Sequence, residues 1–187
     1  MKKGVIKIQY NSPVVLSFAL ISLGALFLNK LTGGWSNAKF FSVYRSSLGD
    51  LFTYPRFFLH VLGHNGFKHY IGNMMMLLVI GPGLEERYGS KNLLWAIAIT
   101  AFVSGLIQWV FFPKTMLMGA SGIVFMMIVM SSLAGMKSGC IPLTLIFVLV
   151  LYIGNEVIDG ITLRDNVSQI THIVGGMCGA ILGFVLK

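Results

Sequence analysis

The feature that most limits this chain is the recurrence of apolar runs close to 20 residues long, separated by short polar breaks. A bilayer core about 30 Å thick takes roughly 20 residues of helix per crossing. Six such runs are present, at about 14–31, 67–85, 91–112, 119–136, 141–157 and 168–186. They predict an all-α membrane protein, a polytopic bundle of six transmembrane helices with a long interfacial first loop. Residues 1–187 then form one domain, with no room for a second. Only 11% of the residues are charged and the mean hydropathy is +0.81, whereas a soluble domain carries about 25% charged residues.

The net charge of +8 does not point to nucleic acid, because the 14 basic residues are scattered at helix ends rather than gathered on one face. They read as anchors at the membrane surface. The start "MKKGVIKIQYN" has the basic opening of a signal peptide, but the run that follows is long and lacks a small-x-small cleavage site, so it is expected to remain as the first helix. Its lysines favour a cytoplasmic N-terminus, and six crossings return the C-terminus to that side. Counted with that cluster, the 14 basic residues divide evenly, seven to each side, so the orientation rests on the position of the N-terminal lysines and not on the total. Cys140 and Cys178 fall at different depths, which argues against a disulfide, and neither suggests metal or redox chemistry.

Residues 32–66, "TGGWSNAKFFSVYRSSLGDLFTYPRFFLHVLGHN" with its flank, are dense in aromatic side chains. Such a segment suits the membrane interface, where rings have one apolar and one wet side. In this topology the second, fourth and sixth helices begin on the outer side. His69 and Asn73 then lie in the first turns of the second, Ser121 at the start of the fourth, and His172 a turn into the sixth. Four polar residues at one shallow depth indicate a functional site, since ionisable groups inside a membrane are costly to keep.

Serine is a weak nucleophile until a base takes its proton, and His172 is the candidate base for Ser121. The first amides of a helix lack intrahelical partners and can stabilise an oxyanion. His69 and Asn73, spaced i, i+4 on one face, are candidate further donors, or else polar cross-links between helices. Gly119 and its neighbours allow close backbone approach. Gly175, Gly179 and Gly183 form a groove for another helix, and His172 stands three residues before it, so the groove is expected to bring the imidazole towards Ser121. No acidic residue is placed to complete a triad: Glu85 and Glu86 belong to the other side, and Glu156, Asp159 and Asp165 to the loop before the last helix.

With these motifs in order, the chain resembles the rhomboid family of intramembrane serine proteases. "GASG" at 119–122 matches the family's glycine-x-serine-glycine, "HNGFKHYIGN" at 64–73 its histidine-x4-histidine-x3-asparagine, and "HIVGGMCG" at 172–179 its histidine-x2-glycine-x3-glycine. "PRFFLH" at 55–60 and "EERYG" at 85–89 resemble the arginine motif of its first loop and the glutamate-arginine element that closes its second helix. The resemblance implies Ser121 as nucleophile, His172 as general base, and His69, Asn73 and the Ser121 amide as oxyanion hole. His64 is implied in support, with Arg56 and Glu85 structural. Two positions depart: Pro55 stands where the family usually has tryptophan, and Phe125 where it often has a tyrosine stacked on the catalytic histidine.

The expected activity is cleavage of single-pass membrane proteins near the outer face of the bilayer, without cofactor or metal. The partners are transmembrane substrates and the lipid itself. A binding-only relative would be expected to lack Ser121 or His172. A transporter or channel would carry polar residues across the full bilayer, whereas "MMMLLVIG", "MMIVM" and "AILGFVLK" are apolar. Size and the lack of a targeting sequence suggest a bacterial inner membrane, with an organellar or archaeal membrane as the alternative. The loop "GNEVIDGITLRDNVSQ" is expected to act as a cap.

Overall fold

In the computed structural model, residues 9–135, 140, 143, 146, 147, 150 and 166–186 are described. Most of the expected fifth helix and residues 154–165 of the expected cap, with Glu156, Asp159 and Asp165, lie outside the described residues, as do the N-terminal lysines, while residues 166–169 of that loop are helical and open the last helix. Among the described residues the chain is helical, with one isolated β-bridge between Val43 and Leu117. The helices are α1 (Pro13–Leu31), α2 (Trp35–Lys39), α3 (Thr53–Leu59), followed by a 3-10 turn (His60–Leu62), α4 (Phe67–Tyr88), α5 (Ser90–Phe111), α6 (Ser121–Ala134) and α7 (Asn166–Val185). Two of them, α1 and α5, are both long and apolar enough to cross a membrane.

Sequence explains the boundaries. Pro13 sits in the first turn of α1, where its missing N–H costs nothing. The amides of Val14 and Val15 donate to the two oxygens of Glu85 at 2.9 and 3.0 Å, so a carboxylate near the end of α4 caps α1 and faces its positive pole. Ser90 Oγ donates to the same group at 2.7 Å. Gly89, at φ 82°, lets the chain reverse between α4 and α5. α1 and α4 run antiparallel, with Gly81 against Val15 and the Tyr70 hydroxyl donating to the Ala19 carbonyl at 3.0 Å.

The core is centred on α6, where Ile123 to Ile128 are all buried. Helix α7 lies along it in parallel. A Cβ on Gly175 would overlap the Gly122 carbonyl oxygen, one on Gly179 would reach 3.0 Å from Met126 Cα, and one on Gly183 would touch Leu133. The register repeats every four residues, which is how glycine rows let helix backbones approach. α6 begins at Ser121 rather than at 119, and it is shorter than expected. Since Gly175 lies level with Gly122, the part of α7 from Asn166 to Gly175 rises about 13 Å past the start of α6. Ser121 is therefore set inward from that end of the bundle.

Candidate active site

Ser121 is the first residue of α6 and is half-buried. The turn before it is fixed from several directions. Leu117 and Val43 exchange both backbone hydrogen bonds at 2.9 Å, and the Gly119 amide donates to the His60 carbonyl at 2.9 Å. Gln108 Nε2 donates to the Thr115 carbonyl at 3.1 Å. Gly119 adopts φ 126°, and a Cβ there would stand 2.8 Å from His69 Cε1 and 2.9 Å from His69 Nε2. Both the backbone conformation and the space therefore require glycine.

That same distance places His69 directly against the approach to Ser121. Asn73, one turn further along α4, has its Nδ2 at 4.0 Å from the same point. This amide is buried, and Nδ2 has no hydrogen-bond partner among the described residues. A buried donor without a partner is unfavourable by about 1–3 kcal/mol. One beside the turn that leads into a helix N-terminus is available to negative charge arising there.

On the other side of α6, Thr171 and Gly175 lie against Gly122, the residue after Ser121. His172 is buried between them in sequence, and its ring lies 5.7 Å from that of Phe125, tilted by 35°. The tightest row on α7 is thus Thr171, Gly175, Gly179 and Gly183, with His172 and Gly176 displaced towards Phe125. Ser121, His69, Asn73 and His172 all belong to the ends of α4, α6 and α7 that this packing gathers on one side.

His64 is buried behind His69, their rings 5.0 Å apart and nearly edge-on. Its Nδ1–H donates to the Leu62 carbonyl at 3.1 Å. Burial, then the nearby charge of His69, hold its pKa down to about 4, against the hydrogen bond to Leu62. Asn37 Nδ2 donates to the His64 carbonyl at 3.0 Å. Arg56 is buried in the first connection, where it donates to the Lys39 carbonyl at 2.9 Å, pairs with Asp50 at 3.3 Å and lies over the Tyr44 ring.

His60 was not singled out by its sequence beyond its place in "PRFFLH", yet it joins three elements. Its Nε2–H donates to the Ala101 carbonyl of α5 at 3.0 Å while its own carbonyl holds Gly119. Burial keeps its pKa down at about 4, with the Ala101 bond opposing. A backbone carbonyl leaves no mark in sequence. Gln108 did carry a signal, as a lone amide near the end of an apolar run. Among the described residues no three of His, Cys, Asp or Glu are gathered to hold a metal ion.

A sequence profile of the rhomboid domain matches residues 52–187. The chain is 30% identical over 143 residues to "Rhomboid-related protein 1" of Caenorhabditis elegans, covering 70% of this chain and 39% of that protein. It is also 30% identical over 135 residues to "RHOMBOID-like protein 4" of Arabidopsis thaliana, covering 66% of this chain and 32% of that protein. The chain spans roughly a third of the length of these relatives. Their worm and plant origin gives no support to a bacterial assignment. With the apolar helices, the domain match makes the chain a multi-pass membrane protein.

Proposed function

This chain belongs to the rhomboid family, and from that premise we propose that it is an intramembrane serine endopeptidase acting on transmembrane segments of other proteins. Residues 1–187 form one six-helix domain with both termini in the cytoplasm, and cleavage occurs near the outer face. Ser121 attacks the scissile carbonyl, and His172 takes its proton and returns it to the leaving amine. The Ser121 amide, His69 and Asn73 receive the oxyanion. His64 supports His69, Phe125 supports His172, and Gly119, Gly175 and Gly179 permit the close approaches. Unwinding of the substrate helix near the cut is required, since a helical peptide bond is hydrogen-bonded and covered.

The observation that carries this reading is the buried Asn73 amide, without a hydrogen-bond partner among the described residues, beside Gly119, two residues before a serine at a helix N-terminus. Removing one oxyanion donor typically costs about 3–4 kcal/mol of transition-state stabilisation. Labelling by a fluorophosphonate in detergent and in bilayers tests it without a known substrate. Wild type is expected to label, and Ser121→Ala and His172→Ala are expected not to. Folded wild type that stays unlabelled in both media would favour a protein that binds helices without cutting them.

A further inference from the structure

At the same end of the molecule, but on the outside of α1, lies a cavity of about 500 Å³ bounded by α1, the turn after it and the start of α4. Its walls have two characters. Leu26, Phe27 and Phe67 give it an apolar side, while Asn29, Asn65 and the exposed Lys30 give it a polar, cationic one. Gly33 and Gly34 line it with backbone in the left-handed region, and a Cβ on either would meet nothing within 4 Å. Lys30 makes no ion pair among the described residues.

The depth of this cavity limits what can fill it. α1 has 19 residues and is about 28 Å long, close to the hydrocarbon thickness, so Lys30 in its last turn stands at headgroup level. Trp35, directly after the glycine pair and 57% exposed, marks the same interface. A ligand there needs an anionic head for Lys30 and a hydrocarbon tail for Leu26, Phe27 and Phe67. We propose that the cavity between the end of α1 and the start of α4 is a binding site for one anionic phospholipid, its phosphate on Lys30 and its acyl chain on the apolar wall. The site stands apart from Ser121 and does not depend on the protease reading.

Native mass spectrometry of the full chain tests this, with equal phosphatidylglycerol and phosphatidylcholine of the same acyl chains. One phosphatidylglycerol is expected to stay bound in preference to phosphatidylcholine. Lys30→Glu should lower its retention at least about fivefold, since a single basic residue near an anionic lipid is worth about that factor. Asn65→Trp, which fills the cavity and leaves the charge, should lower it similarly, and Lys114→Ala on the next outer turn should not. Equal retention of the two lipids, wild-type retention in Lys30→Glu, or equal loss in Lys114→Ala would overturn the site. So would displacement of the lipid by millimolar glycerol phosphate, which would make it a site for free phosphate. If Asn65→Trp does not fold, Lys30→Glu decides, since that side chain is exposed.

Discussion

The α6–α7 seam and the first connection both position the turn before Ser121, by opposite means. The seam works through absent atoms: Gly175 and Gly179 bring backbone against Gly122 and Met126. The connection works through polar contacts, with Arg56 on Lys39, Asn37 on His64, Trp109 on Ser46 and His60 on both Ala101 and Gly119. Each hydrogen bond of that kind contributes about 1 kcal/mol, more where it is charged. A network of them weakens by steps. Backbone in contact with backbone has no side chain that can move aside, so the seam has no intermediate response.

The sharpest way to break this contrast is Gly175→Ala. One methyl overlaps a carbonyl oxygen, so the seam must open, and we expect a loss of more than about 3 kcal/mol. Denaturant unfolding in micelles measures it, and fluorophosphonate labelling should fall with it. Wild-type stability in this variant would mean that the seam has slack after all.

The connection should instead show a graded dependence on pH. His60 is neutral in the fold, with its pKa at about 4 against an ordinary 6.5. The unfolded chain therefore binds the proton first. The contribution of a neutral His60 is complete above pH 6.5 and declines as the pH falls towards 4, by on the order of 3 kcal/mol at most. His64 is depressed in the same way and adds to the slope. His60→Gln, which keeps a donor for Ala101, should give a shallower decline in thermal midpoint across this window. A slope identical to wild type would remove His60 from the account.

At the opposite end of the molecule, Glu85 tests whether a polar contact of the same strength matters to the site. Glu85→Ala strips the α1 amides of their cap and frees Ser90, at an expected loss of about 1–2 kcal/mol. Labelling of Ser121 at temperatures below unfolding should not change. A labelling defect at full folding would mean that α1 is coupled to the site.

Much of this architecture was legible in the sequence. Apolar run length located α1, α4, α5, α6 and α7 to within three residues at every boundary, because burial in lipid demands length and composition together. The glycine repeat announced a close helix partner, though not its direction or register. The internal order of the first connection was not legible. It depends on backbone acceptors such as the Lys39, Ser46 and His60 carbonyls, which every residue possesses and which only the folded chain selects. Ser121 at the start of the fourth helix was legible from its glycine flanks, whereas the two-residue offset of the apolar run was not: "GA" is compatible with helix by composition, and only the φ of Gly119 excludes it.

The smallest effect should come from a glycine outside the seam. Gly24 lies within α1 with open space where a Cβ would stand, and nothing among the described residues uses its missing side chain. Alanine there restricts the unfolded chain and favours helix, so Gly24→Ala is expected to raise stability by about 0.5–1 kcal/mol. The sign is the point of the measurement. The same change of one methyl should be destabilising at 175 and stabilising at 24, since the cost of a side chain on this bundle is set by what lies opposite the backbone and not by the helix that carries it. If Gly24→Ala also destabilised, the glycines would be serving helix bending or lipid contact throughout, and the distinction between seam and surface would fail.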